Sequence, residues 1–274
     1  MRKSLVLFLS LFTMIALRAQ DFSNKGKDFW IAYGNHVRMF NPQDQAEKMQ
    51  LYITSDVNTT GSVKIAALGI NIPITVTANQ ITTVDIPRSA ALLDEGIYDY
   101  GIHLSAAAPV VVYSFIYVNA VSGATLCLPT STLAKDYYSV NYFQVSNEND
   151  SYSYFDVVAT DTGTTTVQII PAATTKNGRP AAVPFIVSLK QGQVYQVLSA
   201  SDLTGSSIKS VSNGNSCKKI AVFCGSGKIS LGCGTNANTA DNLYQQMYPL
   251  STWGKTYITT PSINTPTLKS YLRG

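Results

Sequence analysis

Charged and titratable side chains are scarce in this chain of 274 residues: 13% are Asp, Glu, Lys or Arg, and only two are histidines. A basic patch interleaved with aromatic residues is the footprint expected of a nucleic-acid-binding protein, and this sequence has no such patch. The sequence also lacks a Gly-x-Ser-x-Gly motif, a His-Glu-x-x-His motif and a Cys-x-x-Cys pair. We therefore expect neither nucleic-acid binding nor catalysis, and no metal or cofactor site.

Long apolar runs are also lacking, except for one at the start of the chain. Arg2 and Lys3 precede the apolar run Leu5–Leu17, and a small residue, Ala19, follows it. This layout is typical of a secretory signal peptide and is too short for a membrane span. We expect residues 1–19 to be removed and the mature chain to be exported without a membrane span, at the cell surface or in the extracellular space. Cleavage lowers the Lys and Arg count from 20 to 17 against 16 Asp and Glu, so the net charge becomes +1.

Helical periodicity is nearly absent, and strand signals fill the remaining sequence. Segments such as "MQLYITSD", "ITTVDIP" and "VVVYSFIYV" are rich in Val, Ile, Thr and Tyr and are separated by short polar breaks. Evenly spaced short strands favour antiparallel sandwiches or barrels. The predicted fold class is therefore all-β.

An internal repeat divides these strands into units. "GKDFWIAY" begins at Gly26, "AKDYYSVN" at Ala134 and "GKTYITTP" at Gly254, while "PTSTLAKDY" aligns without gaps with "PLSTWGKTY". We predict two tandem β-sandwich repeats, residues 20–133 and 134–253, after the signal peptide at residues 1–19. Residues 254–274 are either the truncated start of a third unit, in a chain that is a fragment, or a strand that closes the second unit.

The four cysteines predict disulfide chemistry, because an exported chain with an even number of cysteines usually pairs them. Cys217 and Cys233 flank a predicted hairpin whose turn is centred on Gly225, so they are expected to bridge. The pairing of Cys127 and Cys224 stays open.

Three stretches together resemble the IgGFc-binding protein N-terminal domain family: "GKDFWIAY", the Cys217–Cys233 segment and "DNLYQQMYPLSTWGK". The resemblance implies an exported domain of the kind found at the front of large bacterial surface proteins. The family takes its name from an animal mucus protein said to bind antibody Fc, so immunoglobulin Fc and mucin are candidate partners, but Fc binding does not follow from the resemblance because one fold hosts many partners. This chain has Ala240-Asp241-Asn242-Leu243 where the family pattern has Cys-Asp-His-Leu, so the family's disulfide pairing does not carry over directly.

The distinctive C-terminal run has two interpretations. In the structural one, Trp253 fills a pocket between units while Asp241 and Gln246 bond to loop backbone. In the functional one, Tyr244, Tyr248 and Trp253 form an exposed aromatic platform that binds a protein or a sugar.

We favour a non-catalytic binding or adhesion module that recognises an extracellular protein or glycan. Its contacts are expected in the polar loops at residues 34–48, 145–153 and 232–240, because sandwich strands are needed for the core. The alternatives are a structural spacer that presents a further domain and an accessory module of a carbohydrate-active enzyme.

Cleavage after Ala19 gives a direct test of export. Mass spectrometry of the protein recovered outside the producing cell should find Gln20 as the first residue. Recovery of an extracellular chain that still carries residues 1–19 would contradict the signal-peptide interpretation.

Overall fold

The structure, a computed structural model, describes residues 23–37, 48–118, 121–142, 146, 151–211, 218–229 and 241–258. The predicted signal peptide lies outside these residues. The all-β prediction is confirmed: 55% of the described residues lie in strands, in several antiparallel sheets, and the same residues contain no helix of seven or more residues.

Sixteen strands are described, joined in part by short 3-10 turns. The first eight are β1 Gly26–Ile31, β2 Lys48–Thr54, β3 Thr59–Ile65, β4 Ile70–Val76, β5 Thr82–Ile86, β6 Gly96–Tyr98, β7 Ile102–Val118 and β8 Val121–Cys127. The others are β9 Asp136–Tyr138, β10 Ser153–Ala159, β11 Thr164–Ile170, β12 Phe185–Lys190, β13 Val194–Ser199, β14 Ser207–Val211, β15 Ile220–Ile229 and β16 Asp241–Gln246. The described 3-10 turns are Ala66–Leu68, Arg88–Ala90, Thr130–Thr132 and Leu250–Thr252.

Residues 26–133, which we call the first unit, are organised around the long strand β7. The first half of β7 pairs with β1 and β3, and its second half pairs with β2 and β8. One half of the sheet therefore has the order β4-β3-β7-β1 and the other β5-β2-β7-β8. Strand β2 shows the expected alternation, since Met49, Leu51 and Ile53 are buried and the residues between them are not.

Residues 134–253, the second unit, repeat these orders with two separate sheets. One is β12-β11-β14-β9 and the other is β13-β10-β15-β16. Each strand of the second unit thus takes the place of one strand, or one half of β7, in the first. A sixteen-residue apolar cluster that includes Phe155, Val167 and Val222 fills the space between the two sheets.

The junction turns that end each unit also have the same backbone geometry. Pro129 has φ −67° and ψ 152°, and Pro249 has φ −66° and ψ 151°. In both turns the threonine at the third position donates its hydroxyl to the proline carbonyl at 2.8 Å, from Thr132 and Thr252 respectively. The aligned segments therefore adopt one local conformation.

Strand β6 crosses the boundary between the two units. Although Gly96–Tyr98 belongs to the first unit by sequence, it pairs with β13 and forms the fifth strand of the second unit's sheet. The boundary near residue 134 separates the other strands but not this one, so the units share a sheet.

The three central strands of that five-stranded sheet are buried on both faces. Every residue of β10, β13 and β15 is buried. Phe155 and Val157 pack into the second unit's core, whereas Tyr154 and Val158 belong to the first unit's core. The molecule consequently has a shared middle layer with apolar residues on both sides.

The predicted hairpin around Gly225 is wrong. Residues 220–229 form one continuous strand, β15, and Gly225 lies in the middle of it, opposite Tyr154 and Tyr244. A Cβ at this position would overlap the carbonyl oxygen of Leu243, so the glycine serves close packing rather than a turn. Cys217 and Cys233 lie outside the described residues, and the proposed bridge no longer has the hairpin as its basis. Cys127 and Cys224 are both free and buried.

Asp156 is the most unusual residue in the shared layer. Its side chain faces the first unit and is completely buried, and neither carboxyl oxygen has a hydrogen-bond partner among the described residues. Burial raises the pKa of this carboxyl group well above its usual value of 3.8. At pH values between the pKa of the unfolded chain and that of the folded protein, the folded protein therefore keeps a proton on Asp156 that the unfolded chain releases.

This difference sets the sign of a pH effect on stability. The protonated Asp156 carboxyl group contributes to the free energy of unfolding. This contribution is fully present below the pKa that Asp156 has in the unfolded chain, and it is lost as pH rises through the pKa in the folded protein, with a slope of at most about 1.4 kcal/mol per pH unit. Asp156→Asn should therefore flatten the stability profile above pH 4 and raise the melting temperature at pH 7. Chemical denaturation at several pH values measures this, with exposed Asp85→Asn as the matched control; parallel profiles for wild type and Asp156→Asn would contradict it.

Candidate functional site

Strand β16, which consists of "DNLYQQ" at the start of the distinctive run, forms a seam between the two units. It pairs with β15 on one side and lies against β8 of the first unit on the other. A carboxylate oxygen of Asp241 accepts the backbone N–H of Ser122, and Oε1 of Gln246 accepts the backbone N–H of Leu128 at 2.7 Å. These two side chains bond to backbone, as the structural interpretation predicted.

Tyr244 is not part of an exposed platform, which corrects the functional interpretation for this residue. Its ring is buried between Tyr33 and Phe223, with centroid distances of 5.8 Å and 5.9 Å. Its hydroxyl donates to the carbonyl of Ala32 at 2.7 Å and lies 2.8 Å from Oγ of Ser114. The physical reason is alternation along β16, which turns this face toward the first unit's core.

Tyr248 and Trp253, by contrast, are exposed at 49% and 44%. They flank the 3-10 turn Leu250–Thr252, and the indole N–H of Trp253 donates to the carbonyl of Tyr248 at 3.2 Å. This bond fixes the edge of the indole and leaves its face available. A third ring lies beside it, since the centroid of Tyr138 is 6.4 Å from that of Trp253.

A groove of about 560 Å³ lies beside these rings, and we call it the aromatic groove. It is lined by residues 134–138 around strand β9, residues 207–209 of β14, and Leu250 and Ser251. Its charged groups are Lys135 and the ion pair between Lys209 and Asp136, which are 3.3 Å apart. A concave surface with exposed aromatic rings and a few polar groups has the composition of a recognition site.

The first unit has covered residues where the second has exposed ones. The positions that align with Tyr248 and Trp253 are Leu128 and Leu133, and each of these is only 3% exposed. Tyr137 of β9 is buried as well, whereas the aligned Tyr257 is 68% exposed. The second unit covers the end of the first, while the end of the second unit is open in the part of the chain described.

A smaller cleft of about 290 Å³ lies where the two units meet near Gly192. Its wall contains a stacked pair, Trp30 and His103, with centroids 4.3 Å apart. Nε2 of His103 is 2.6 Å from a carboxylate oxygen of Asp28, and this contact lowers the pKa of Asp28.

The order of groups in this cluster is not that of a catalytic triad. Thr130 donates its hydroxyl proton to Asp28 at 2.6 Å, so the carboxylate lies between the hydroxyl and the imidazole. A nucleophilic hydroxyl needs the imidazole as its base, and here it is bonded to the acid instead. The same hydroxyl proton is shared with the backbone carbonyl of Asp28, whose oxygen is 3.0 Å from the threonine oxygen, so the cluster ties the junction turn to β1.

Sequence reasoning missed Tyr138 and His103 as members of these two surfaces. Their partners come from other strands, so only the strand register reveals the contacts. Tyr138 could have been noticed, because it occupies the position of Trp30 in the aligned repeat.

Other expectations fall largely or wholly outside the described residues. The predicted contact loops are described only at residues 34–37, 48, 146, 151–153 and not between 232 and 240. Within the described ranges, no group of three or more His, Cys, Asp or Glu is placed to hold a metal ion. The same ranges contain no helix with the length and apolarity needed to cross a membrane.

Comparison with known protein families identifies a match. A family model described as IgGFc binding protein matches residues 123–273, a region that includes every lining residue of the aromatic groove. Comparisons with curated proteins and with solved structures return no match.

The opposite environments of Tyr244 and Trp253 give a prediction about stability. Tyr244→Phe removes the hydroxyl that bonds Ala32 and Ser114, and it should lower the free energy of unfolding by about 1–3 kcal/mol. Trp253→Ala removes a half-exposed ring and should cost about 1 kcal/mol or less. Urea denaturation of both variants measures the difference, and an equal or reversed loss would contradict this assignment of the two residues.

Proposed function

The chain belongs to the IgGFc binding protein family, and we propose that it is an exported, non-catalytic module that binds an extracellular protein through the aromatic groove. The observation that carries the proposal is the pair of exposed rings, Tyr138 and Trp253, beside a groove that lies within the family-matched region. Rigid aromatic side chains supply a large contact area at low entropic cost, which is why they dominate binding energetics.

Tyr248 extends this surface on the other side of the turn. Its exposure and its position next to Trp253 make it a contact residue in the proposal. Tyr244 is buried and is not a contact residue in the proposal. Its hydroxyl bonds to the carbonyl of Ala32 and so holds β16 against the first unit.

Export is the second part of the proposal, and it is supported by the signal-peptide pattern of residues 1–19. An exported protein meets macromolecules rather than cytoplasmic metabolites. The family's name makes immunoglobulin Fc the first candidate partner, and mucin is the second. A host glycan in place of a protein is an outcome that the binding test separates.

A second candidate function, a repeat-built spacer, is favoured by the pattern of burial at the junctions. Leu128, Leu133 and Tyr137 are covered in the first junction, and their counterparts Tyr248, Trp253 and Tyr257 are exposed in the second. We propose that residues 20–133 and 134–253 are copies of one unit and that residues 254–274 begin another. In a spacer, a following unit would cover the rings and leave no free binding surface there.

Binding measurements decide between recognition and spacing. Fc fragment, purified mucin and an array of free glycans are applied to the exported protein and to its Trp253→Ala variant. Recognition predicts that one probe binds and that the substitution weakens binding about tenfold or more, as expected for a central aromatic contact. Ile81→Ala, which removes another exposed apolar side chain from the first unit, is the matched control and should bind normally.

The outcomes of this test separate the candidate functions. Binding that Trp253→Ala leaves unchanged would rule out the aromatic groove as the contact surface. Failure of all three classes of probe would favour the spacer. Binding restricted to glycans would replace the protein partner by a carbohydrate.

A further inference from the structure

Strand β9 is the outermost strand of its sheet, whose order is β12-β11-β14-β9. Among the described residues, no strand pairs with the second side of β9 itself, although Ala134, two residues before β9, accepts the N–H of Ile220 of β15 on that side at 3.0 Å. The three residues of β9, Asp136–Tyr138, form one wall of the aromatic groove. The backbone N–H and C=O groups of β9 are therefore part of the groove wall.

The register shows which backbone groups of β9 point away from the sheet. Ser210 donates to the carbonyl of Lys135 at 2.8 Å, and Ser139 donates to the carbonyl of Ser206 at 3.0 Å. Hydrogen-bonded and non-hydrogen-bonded positions alternate in an antiparallel ladder. Positions 135, 137 and 139 therefore bond to β14, and the N–H and C=O groups of Asp136 and Tyr138 point to the open side.

The corresponding edge of the first unit is closed. Asp28 of β1 aligns with Asp136, and its carbonyl accepts the hydroxyl of Thr130 at 3.0 Å. The residue that aligns with Thr130 is Leu250, which has no hydroxyl to donate. The substitution of a leucine for the capping threonine leaves the carbonyl of Asp136 without the side-chain cap that its counterpart has.

We propose that this open edge adds an extended segment of a partner polypeptide as a further strand. The proposal rests on the proposed function, since it describes how the aromatic groove would hold an extracellular protein. Alternating N–H and C=O groups along an extended strand match the backbone of another polypeptide, which is the chemistry of β-strand addition. A glycan would use the rings but would not satisfy this alternating pattern.

The side chains around the edge define the segment that fits. Tyr138 and Trp253 favour an aromatic or β-branched residue packed against them. Lys135 is exposed, and Lys209 is already paired with Asp136, so the groove carries one excess positive charge. We therefore expect an acidic residue in the segment, close to Lys135.

A matched pair of substitutions isolates the backbone. Asp136→Pro and Asp136→Ala both remove the ion pair with Lys209, but only proline removes the outward N–H. Because that N–H is not bonded to β14, proline at this edge position is compatible with the sheet. The exported protein and both variants are screened against a phage-displayed library of random twelve-residue peptides.

Strand addition predicts that the wild type selects peptides with an aromatic or β-branched residue and an acidic residue. The Asp136→Pro variant should bind the selected peptides about tenfold more weakly than the Asp136→Ala variant, because one hydrogen bond is lost and a partner carbonyl is left unpaired. Hydrogen exchange supplies a readout that does not depend on the variants. The amides of Asp136 and Tyr138 should exchange rapidly in the free protein and become protected when a selected peptide binds.

Several results would overturn the proposal. Equal peptide binding by the proline and alanine variants, or unprotected amides in the complex, would show that the peptide contacts side chains only, and the proposed function would survive. Protection of both amides in the free protein would show that the edge is already paired, and its dependence on protein concentration would identify a second copy of the chain. If no peptide binds, strand addition is wrong; Fc or mucin binding that depends on Trp253 would then still support the proposed function.

Discussion

The burial of the three central strands of the shared sheet on both faces is the constraint on which the rest of the structure depends. A sheet that is covered on one side needs apolar residues at every second position, whereas strands β10, β13 and β15 need them at nearly every position. The sequence meets this requirement with "SYFDVVA" and "IAVFCGSG". At Asp156, where a carboxyl group enters the layer without a hydrogen-bond partner among the described residues, burial raises the pKa well above its usual value. The two units are therefore halves of one packing arrangement.

This constraint also explains why one tyrosine of the C-terminal run is buried and another aromatic residue is exposed. Tyr244 lies on the strand that closes the shared layer, and its hydroxyl is bonded inside the first unit. Trp253 lies beyond the turn, where the chain has left the layer. Tyr244 and Trp253 are only nine positions apart, yet Tyr244 holds the two units together and Trp253 is exposed on the surface.

Much of the fold could be predicted from local sequence signals. The strands, the all-β class and the alignment of "PTSTLAKDY" with "PLSTWGKTY" are properties of periodicity and turn chemistry, which are encoded locally. Gly225 could not be interpreted correctly in this way, because a glycine in a turn and a glycine under a neighbouring backbone look the same in sequence. The pairing of β6 with β13 and the contact of Tyr138 with Trp253 depend on long-range register, which no local pattern specifies. For the same reason the sequence could indicate aromatic residues as candidates but could not separate the buried from the exposed ones.

The pairing of β6 with β13 has a consequence for the order in which the chain acquires structure. The first unit leaves the ribosome before β13 has been synthesised, so Gly96–Tyr98 has no partner strand at that stage. The same holds for the apolar face of the first unit that later covers Tyr154 and Val158. Pairings between distant parts of a chain form slowly, because the entropy of closing the loop has to be offset before the contact stabilises it. The first unit therefore completes its fold only after most of the second has emerged. During that interval its uncovered apolar face and the unpaired strand β6 have to be kept from contact with other chains.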